Sequence, residues 1–159
     1  MKCLILSDTH GQNEILKQMV MLYPDMDYYL HLGDSETTPD ELEPFISVRG
    51  NNDFYDYPNE LILEAEGHKM YLIHSSQYGY LIPGFPFSES RLIKLKDHAK
   101  EQGCDIVLYG HTHILAIEEL DGVHMINPGS ITQPRNGVTF SYVILELDKD
   151  SITCTPYMI

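Results

Sequence analysis

Apolar runs of four to six residues, each halted by glycine or by a polar residue, set the rhythm of this chain. "KCLILS" reads as a buried strand ending at Asp8. "NEILKQMVML", Asn13 to Leu22, carries helical apolar spacing and meets a stop at Pro24. "YYLHLG" and "FISVRG" read as two more strands, ending at Gly33 and Gly50. Strand, helix, strand in that order predicts a parallel sheet with crossover helices. The texture then changes. "ELILEAE" and "KMYLIH" flank the tight turn "GH", as a hairpin does. "SESRLIKLKDHAKEQG" is helical in period, with Ser88 as N-cap candidate and Gly103 as stop. After the buried run "DIVLYG" come "ILAIEEL", a turn at Asp121-Gly122, "VHMIN", "TFSYVILEL" and "SITCTPYMI". The last of these alternate polar and apolar residues, which marks antiparallel strands. The expected fold is therefore one mixed α/β domain over residues 1–159, with two stacked sheets and helices outside. One stretch fits no element. Ser75 to Phe87, "SSQYGYLIPGFPF", is rich in Gly, Pro and aromatics. Tyr78, Tyr80, Phe85 and Phe87 there either line a substrate mouth or oligomer contact, or cover the core.

Composition narrows the function. A length of 159 residues at 43% hydrophobic suffices for one domain with a core. The net charge of −14 repels nucleic-acid backbones and anionic membranes, yet it permits a small anionic substrate where a local metal site reverses the field. Cys3, Cys104 and Cys154 lie in or beside apolar runs and form no CxxC pair, which suits free thiols in a reducing compartment. No apolar run is long enough to span a bilayer, and the one in "MKCLILSDTH" is too short for a secretory signal. A cytoplasmic location is expected. Homo-oligomerisation is left open.

The chemistry collects where strands stop. "ILSDTH" ends in Asp8 and His10, "LHLGD" in Asp34, "VRGNND" in Asn51, Asn52 and Asp53, "YLIH" in His74, and "LYGHTH" in His111 and His113. In open α/β sheets the carboxyl edge of the strands is where ligands bind, so these groups should converge. Asp8, Asp34, Asn51 and four imidazoles make a mixed N/O donor set without thiolate. Such a set suits Mn, Fe, Co, Ni or Zn. Seven donors exceed one ion's needs and suffice for two if a carboxylate bridges them.

In this combination, "SDTH", "GD", "GNND", the His-ending strand and "GHTH", with "NPGS" at Asn127 to Ser130 and "PR" at Pro134-Arg135, the chain resembles the calcineurin-like metallophosphoesterases. It is most similar to their small bacterial and archaeal branch of compact phosphodiesterases. The likeness runs from Met1 to about Leu147. It implies a four-layer αββα sandwich. It implies a first divalent metal on Asp8, His10 and His113, a second on Asn51, His74 and His111, and Asp34 bridging them; manganese is the metal such proteins commonly take. It places the catalytic candidates at Asp34, Asn51, Asn52 and Asp53. It implies hydrolysis of a small phosphodiester, with a hydroxide between the metals attacking phosphorus in line. Two positions depart from the wider family. Asn52 stands where larger phosphatases carry an acidic histidine, and Ser76 stands where many relatives carry a second His after the ligand. Asn52 cannot act as an acid, and Ser76 can replace a hydrogen bond but not a charge. Asp53 reads either as orienting a ligand or as capping a turn. Arg49 and Arg135 read either as phosphate contacts or as surface ion pairs. Asn127 and Ser130 should shape the turn under the site. His31 sits on the strand leading to Asp34 and can be buried near it; His68, His98 and His124 read as ordinary structural or surface residues. Two rival functions share the fold: a protein-binding scaffold like the small subunit of the retromer coat, and a nuclease, against which the acidic charge argues.

Overall fold

The run "KCLIL" is apolar throughout because both of its faces are covered. In the computed structural model, which describes residues 1–78, 88–135, 137 and 139–159, β1 (Lys2–Leu6) turns Cys3 and Ile5 toward a second sheet and Leu4 and Leu6 toward helices. The other strands with two covered faces split the same way. Met70 and Leu72 of β5 (His68–Ile73) and Ile106 and Leu108 of β6 (Ile106–Tyr109) face the first sheet. Tyr71, Ile73, Val107 and Tyr109 face outward.

The first sheet has the order β10 (Ser151–Met158), β9 (Ser141–Asp148), β1, β2 (Tyr28–His31), β3 (Phe45–Ser47), and the second β4 (Glu60–Ala65), β5, β6, β8 (Val123–Pro128), β7 (Leu115–Leu120). In the first, β1 pairs in parallel with β2, and β2 with β3. The antiparallel β9 and β10 close its other side. In the second, β5, β6 and β8 are parallel. Their flanks are the antiparallel β4 and β7. Helix α1 (Asn13–Leu22) covers the outer face of the first sheet through Leu16 and Met19, joined by Leu42 of the short α2 (Pro39–Leu42). Helix α3 (Glu89–Glu101) covers the second through Leu92, Leu95 and Ala99. The result is the αββα sandwich, with its principal core between the sheets.

The differences from expectation are local. The apolar rhythm reveals no helix between β2 and β3, yet "TPDE" starts α2: Thr38 accepts from the Glu41 amide, and Pro39 opens the turn. Ser88 occupies the N-cap position, but its hydroxyl meets that of Ser90 at 3.2 Å and caps nothing. Of the Ser75–Phe87 aromatics, Tyr78 packs on the α3 side of the core; Tyr80, Phe85 and Phe87 lie outside the described residues. The three cysteines are free, and burial pushes the Cys3 thiol up to about 12 and the Cys154 thiol up to about 11. Among the described residues no helix is long and apolar enough to cross a membrane.

Candidate metal centre

The parallel ladder does not stop at the strand ends. The Asp8 amide donates to Gly33 O, the His10 amide to Asp34 O, and the Gly11 amide to Ser35 O. The loops after β1 and β2 therefore run side by side. Asp8, His10, Asp34, His111 and His113 all adopt left-handed backbone, with φ between 47° and 72°. Asp and His tolerate that region better than most residues, and such turns cluster at functional sites. Across the sandwich, His74 Nδ1–H donates to Leu32 O at 2.7 Å, and the His111 amide donates to Asp8 Oδ2 at 3.0 Å. These bonds tie the loop edges of the two sheets together.

Two groups of donor atoms result, each with its ligand atoms within 4.8 Å of one another: Asp8, His10 and His113, and Asp34, His74 and His111. In the first group, outer partners settle the imidazole tautomers. His113 Nδ1 is 2.6 Å from Gln133 O and must carry the proton; His10 Nδ1 is 2.6 Å from Glu36 Oε1 and carries one as well. With both rings neutral, the two Nε2 lone pairs face each other at 3.1 Å. Asp8 Oδ1 lies 3.2 Å from His113 Nε2 and 4.0 Å from His74 Nε2, fully buried and without a hydrogen-bond partner of its own. An orphaned buried carboxylate oxygen beside converging lone pairs is a poor arrangement for a protein alone and a good one around a cation. In the second group, His74 Nε2 points at Asp34 Oδ2 (3.4 Å), His111 Nδ1 (3.2 Å) and Asn51 Oδ1 (3.1 Å). The donors fit divalent ions of the Mn-to-Zn series.

The electrostatics agree. Burial would raise Asp34, but bonds from His74 and Asn52 hold it far below the usual carboxylate range. Burial would raise Asp8 too, and His113 and His74 bring it below its ordinary value. Burial would lower His74, yet Asp34 and Asp8 push it up to about 9; burial and the neighbouring His74 push His111 down to about 4. The carboxylates are thus ready to bind a cation, and His74 must lose a proton to do so. Metal uptake by the second group should therefore strengthen with pH up to about 9. It should weaken by roughly tenfold for each pH unit below that value. Calorimetry of metal binding in buffers of different ionisation enthalpy should register about one proton released per ion at this group between pH 6 and 8, falling toward half at pH 9.

The other candidates found their places around this core. Asn52 grips Asp34: its amide donates to Oδ1 and its side-chain Nδ2 to Oδ2, each at 2.7 Å. Asp53 is buried, and its oxygens accept from the amides of Asp34, Glu36 and Gly50 and from the Ser35 hydroxyl. It organises the loop that presents Asp34. Asn127 donates to Gly110 O and the Thr112 hydroxyl, and Ser130 donates to Asp8 O, beneath the site. His31 is buried, accepting from the Gly33 amide and bonded to the Thr9 hydroxyl. Arg135 Nε lies 3.5 Å from His113 Nδ1, a long contact to a nitrogen whose proton already points at Gln133 O. Arg49 stands 4.0 Å from the exposed Asp56 and lines a cavity of about 620 Å³ with Asn51, Asn59, Ser76 and Gln77. His68 pairs with Asp105, and His98 packs edge-on against Tyr71. Sequence reasoning missed Glu36. It belongs to no strand end, and nothing along the chain pairs it with a residue 26 positions away.

Residues 1–150 match the calcineurin-like phosphoesterase superfamily domain. A probable metallophosphoesterase of Bacillus subtilis, YsnB, is 38% identical, covering 99% of this chain and 90% of its own. The phosphodiesterase YfcE of Escherichia coli is 24% identical over 96% of this chain and 91% of its own. A crystal structure of a predicted phosphoesterase from Streptococcus pneumoniae superposes with a TM-score of 0.86 at 30% identity, over 99% of this chain and 88% of that one. Vps29 of Entamoeba histolytica shares the fold, with a TM-score of 0.74 at 21% identity over 100% of this chain and 99% of its own.

Proposed function

Because the chain belongs to the calcineurin-like phosphoesterase superfamily, we propose that it is a metal-dependent phosphodiesterase acting on a small phosphodiester with two divalent ions. Asp8, His10 and His113 would hold one ion; Asn51, His74 and His111 the other; Asp34 would bridge them. The observation that carries this reading is the buried, unpartnered Asp8 Oδ1 between the two groups of donors. Diester turnover, rather than the donor set itself, separates this reading from a protein-binding scaffold of the same fold.

When bound, the ions supply a Lewis acid for the phosphoryl oxygens and lower the pKa of water at neutral pH. The chain does the rest. Asn52 clamps both oxygens of Asp34 and so fixes the direction in which its remaining lone pairs point. Backbone carbonyls hold the protons of His74 and His113 away from the centre. Asp8, Asp34 and Glu36 beside His10 would leave roughly one positive charge from two divalent ions. A centre so moderated suits the single charge of a diester better than the double charge of a monoester. The cavity bordered by Asn51, Asn59, Ser76 and Gln77 offers amides and a hydroxyl to one ester group.

Neither Asn52 nor Ser76 can protonate a departing alcohol, so the rate should depend steeply on leaving-group acidity. Bis-p-nitrophenyl phosphate and p-nitrophenyl phosphate, compared across a panel of divalent ions with Asp34→Asn as control, test the reading. Turnover of the diester above the monoester is expected, with loss in the control. A series of aryl alkyl diesters should lose rate as the leaving phenol weakens. A flat series would mean that an acid is present after all.

A further inference from the structure

We propose that Glu36 is a positioning residue that selectively tightens the first metal site by bracing His10, and that the segment from Asp34 to Glu36 thereby serves both sites. The inference rests on the two-ion reading above.

The geometry is specific. Glu36 Oε1 is 2.6 Å from His10 Nδ1, and both side chains are largely shielded, at 29% and 12% exposure. The other two histidines with settled outer partners lean on neutral backbone carbonyls, His74 on Leu32 O and His113 on Gln133 O. Only His10, of these three, is backed by a carboxylate. A carboxylate behind the imidazole fixes the tautomer as a carbonyl does, and in addition raises the basicity of the opposite nitrogen. That nitrogen, His10 Nε2, is the one facing His113 Nε2. Bracing matters most at His10. It is the least buried member of the first group, and it sits on a left-handed turn with φ of 47°.

Glu36 is itself held in place. Its backbone is left-handed, with φ of 51°, and its amide donates to Asp53 Oδ1 at 2.7 Å. The other oxygen of Asp53 accepts from the amides of Asp34 and Gly50. One buried carboxylate thus sets both Asp34, a donor of the second group, and Glu36, the brace of the first. A merely structural ion pair would change overall stability when removed. A brace changes one metal affinity and leaves the other alone.

Stepwise titration of metal-free protein with Mn²⁺, by equilibrium dialysis and elemental analysis, separates these cases. Wild type should take two equivalents. Glu36→Ala should keep one site unchanged and weaken the other about 10- to 100-fold, and Glu36→Gln, which keeps an acceptor but no charge, should fall between. In an Asp8→Asn background, where the first group is disabled, Glu36→Ala should change nothing. In a His111→Ala background it should weaken the ion that remains. Equal weakening of both sites, or none, overturns the inference while leaving the two-ion reading standing. A wild type that binds fewer than two equivalents overturns both.

Discussion

Replacing Gly50 by alanine should abolish metal binding at the second group and cut diester turnover at least ~100-fold, the scale of loss when reacting groups are displaced by about an ångström. A methyl group there would overlap Asp34 Oδ1 and the Asp34 backbone nitrogen. The side chain could swing away only by releasing the Asn52 amide and Nδ2, which grip its two oxygens. The backbone nitrogen cannot swing at all, because its hydrogen is held by Asp53, which also holds the Gly50 amide. The change should therefore also destabilise the fold by about 3 kcal/mol, at the upper end for overpacking. In a domain of 159 residues that corresponds to a Tm lowered by roughly 6–12 °C. Differential scanning calorimetry and metal content of the purified variant check both parts. A variant that keeps two ions and full stability would mean that the loop carrying Asp34 is far more compliant than its hydrogen bonds suggest.

Asp8→Asn should remove activity by at least about 1000-fold while the fold survives. The Asp8 side chain plays two separable parts. Oδ2 accepts from the Ser7 hydroxyl at 2.6 Å and from the His111 amide at 3.0 Å, and an asparagine carbonyl can keep both. Oδ1 has no hydrogen-bond partner and faces His113 Nε2. In the variant an amide N–H points there and satisfies the imidazole lone pair directly, filling the place meant for a cation. The several kcal/mol that a metal supplies to developing phosphoryl charge is lost, and each 1.36 kcal/mol is tenfold in rate. Circular dichroism and metal content, measured beside bis-p-nitrophenyl phosphate hydrolysis, separate this outcome from simple unfolding.

The donors were legible because the strands that carry them are buried on both faces. Such strands read as unbroken apolar runs, so Asp8, Asp34, His74, His111 and His113 stood out as the points where the runs break. Parallel pairing of β1, β2 and β3, and of β5, β6 and β8, then brings those points to one edge. What surrounds them was harder to read. Leu32 O and Gln133 O fix two imidazoles, yet a backbone carbonyl leaves no mark in the residue alphabet. Asn52 could be matched along the chain to a family position, but its hold on Asp34 is a contact that only the fold creates. Asp53 looked equally like a turn cap or an orienting group, and it acts as both at once. Glu36 was invisible because its meaning depends on a loop-to-loop approach that only the extended ladder between residues 8–11 and 33–35 creates.

The central claim is that the two donor groups each hold an ion. Elemental analysis of the protein after saturation with manganese and removal of the excess tests it most directly. Two ions per chain are expected, falling to about one in Asp8→Asn. Fewer than two in wild type, or an Asp8→Asn value equal to wild type, would contradict it.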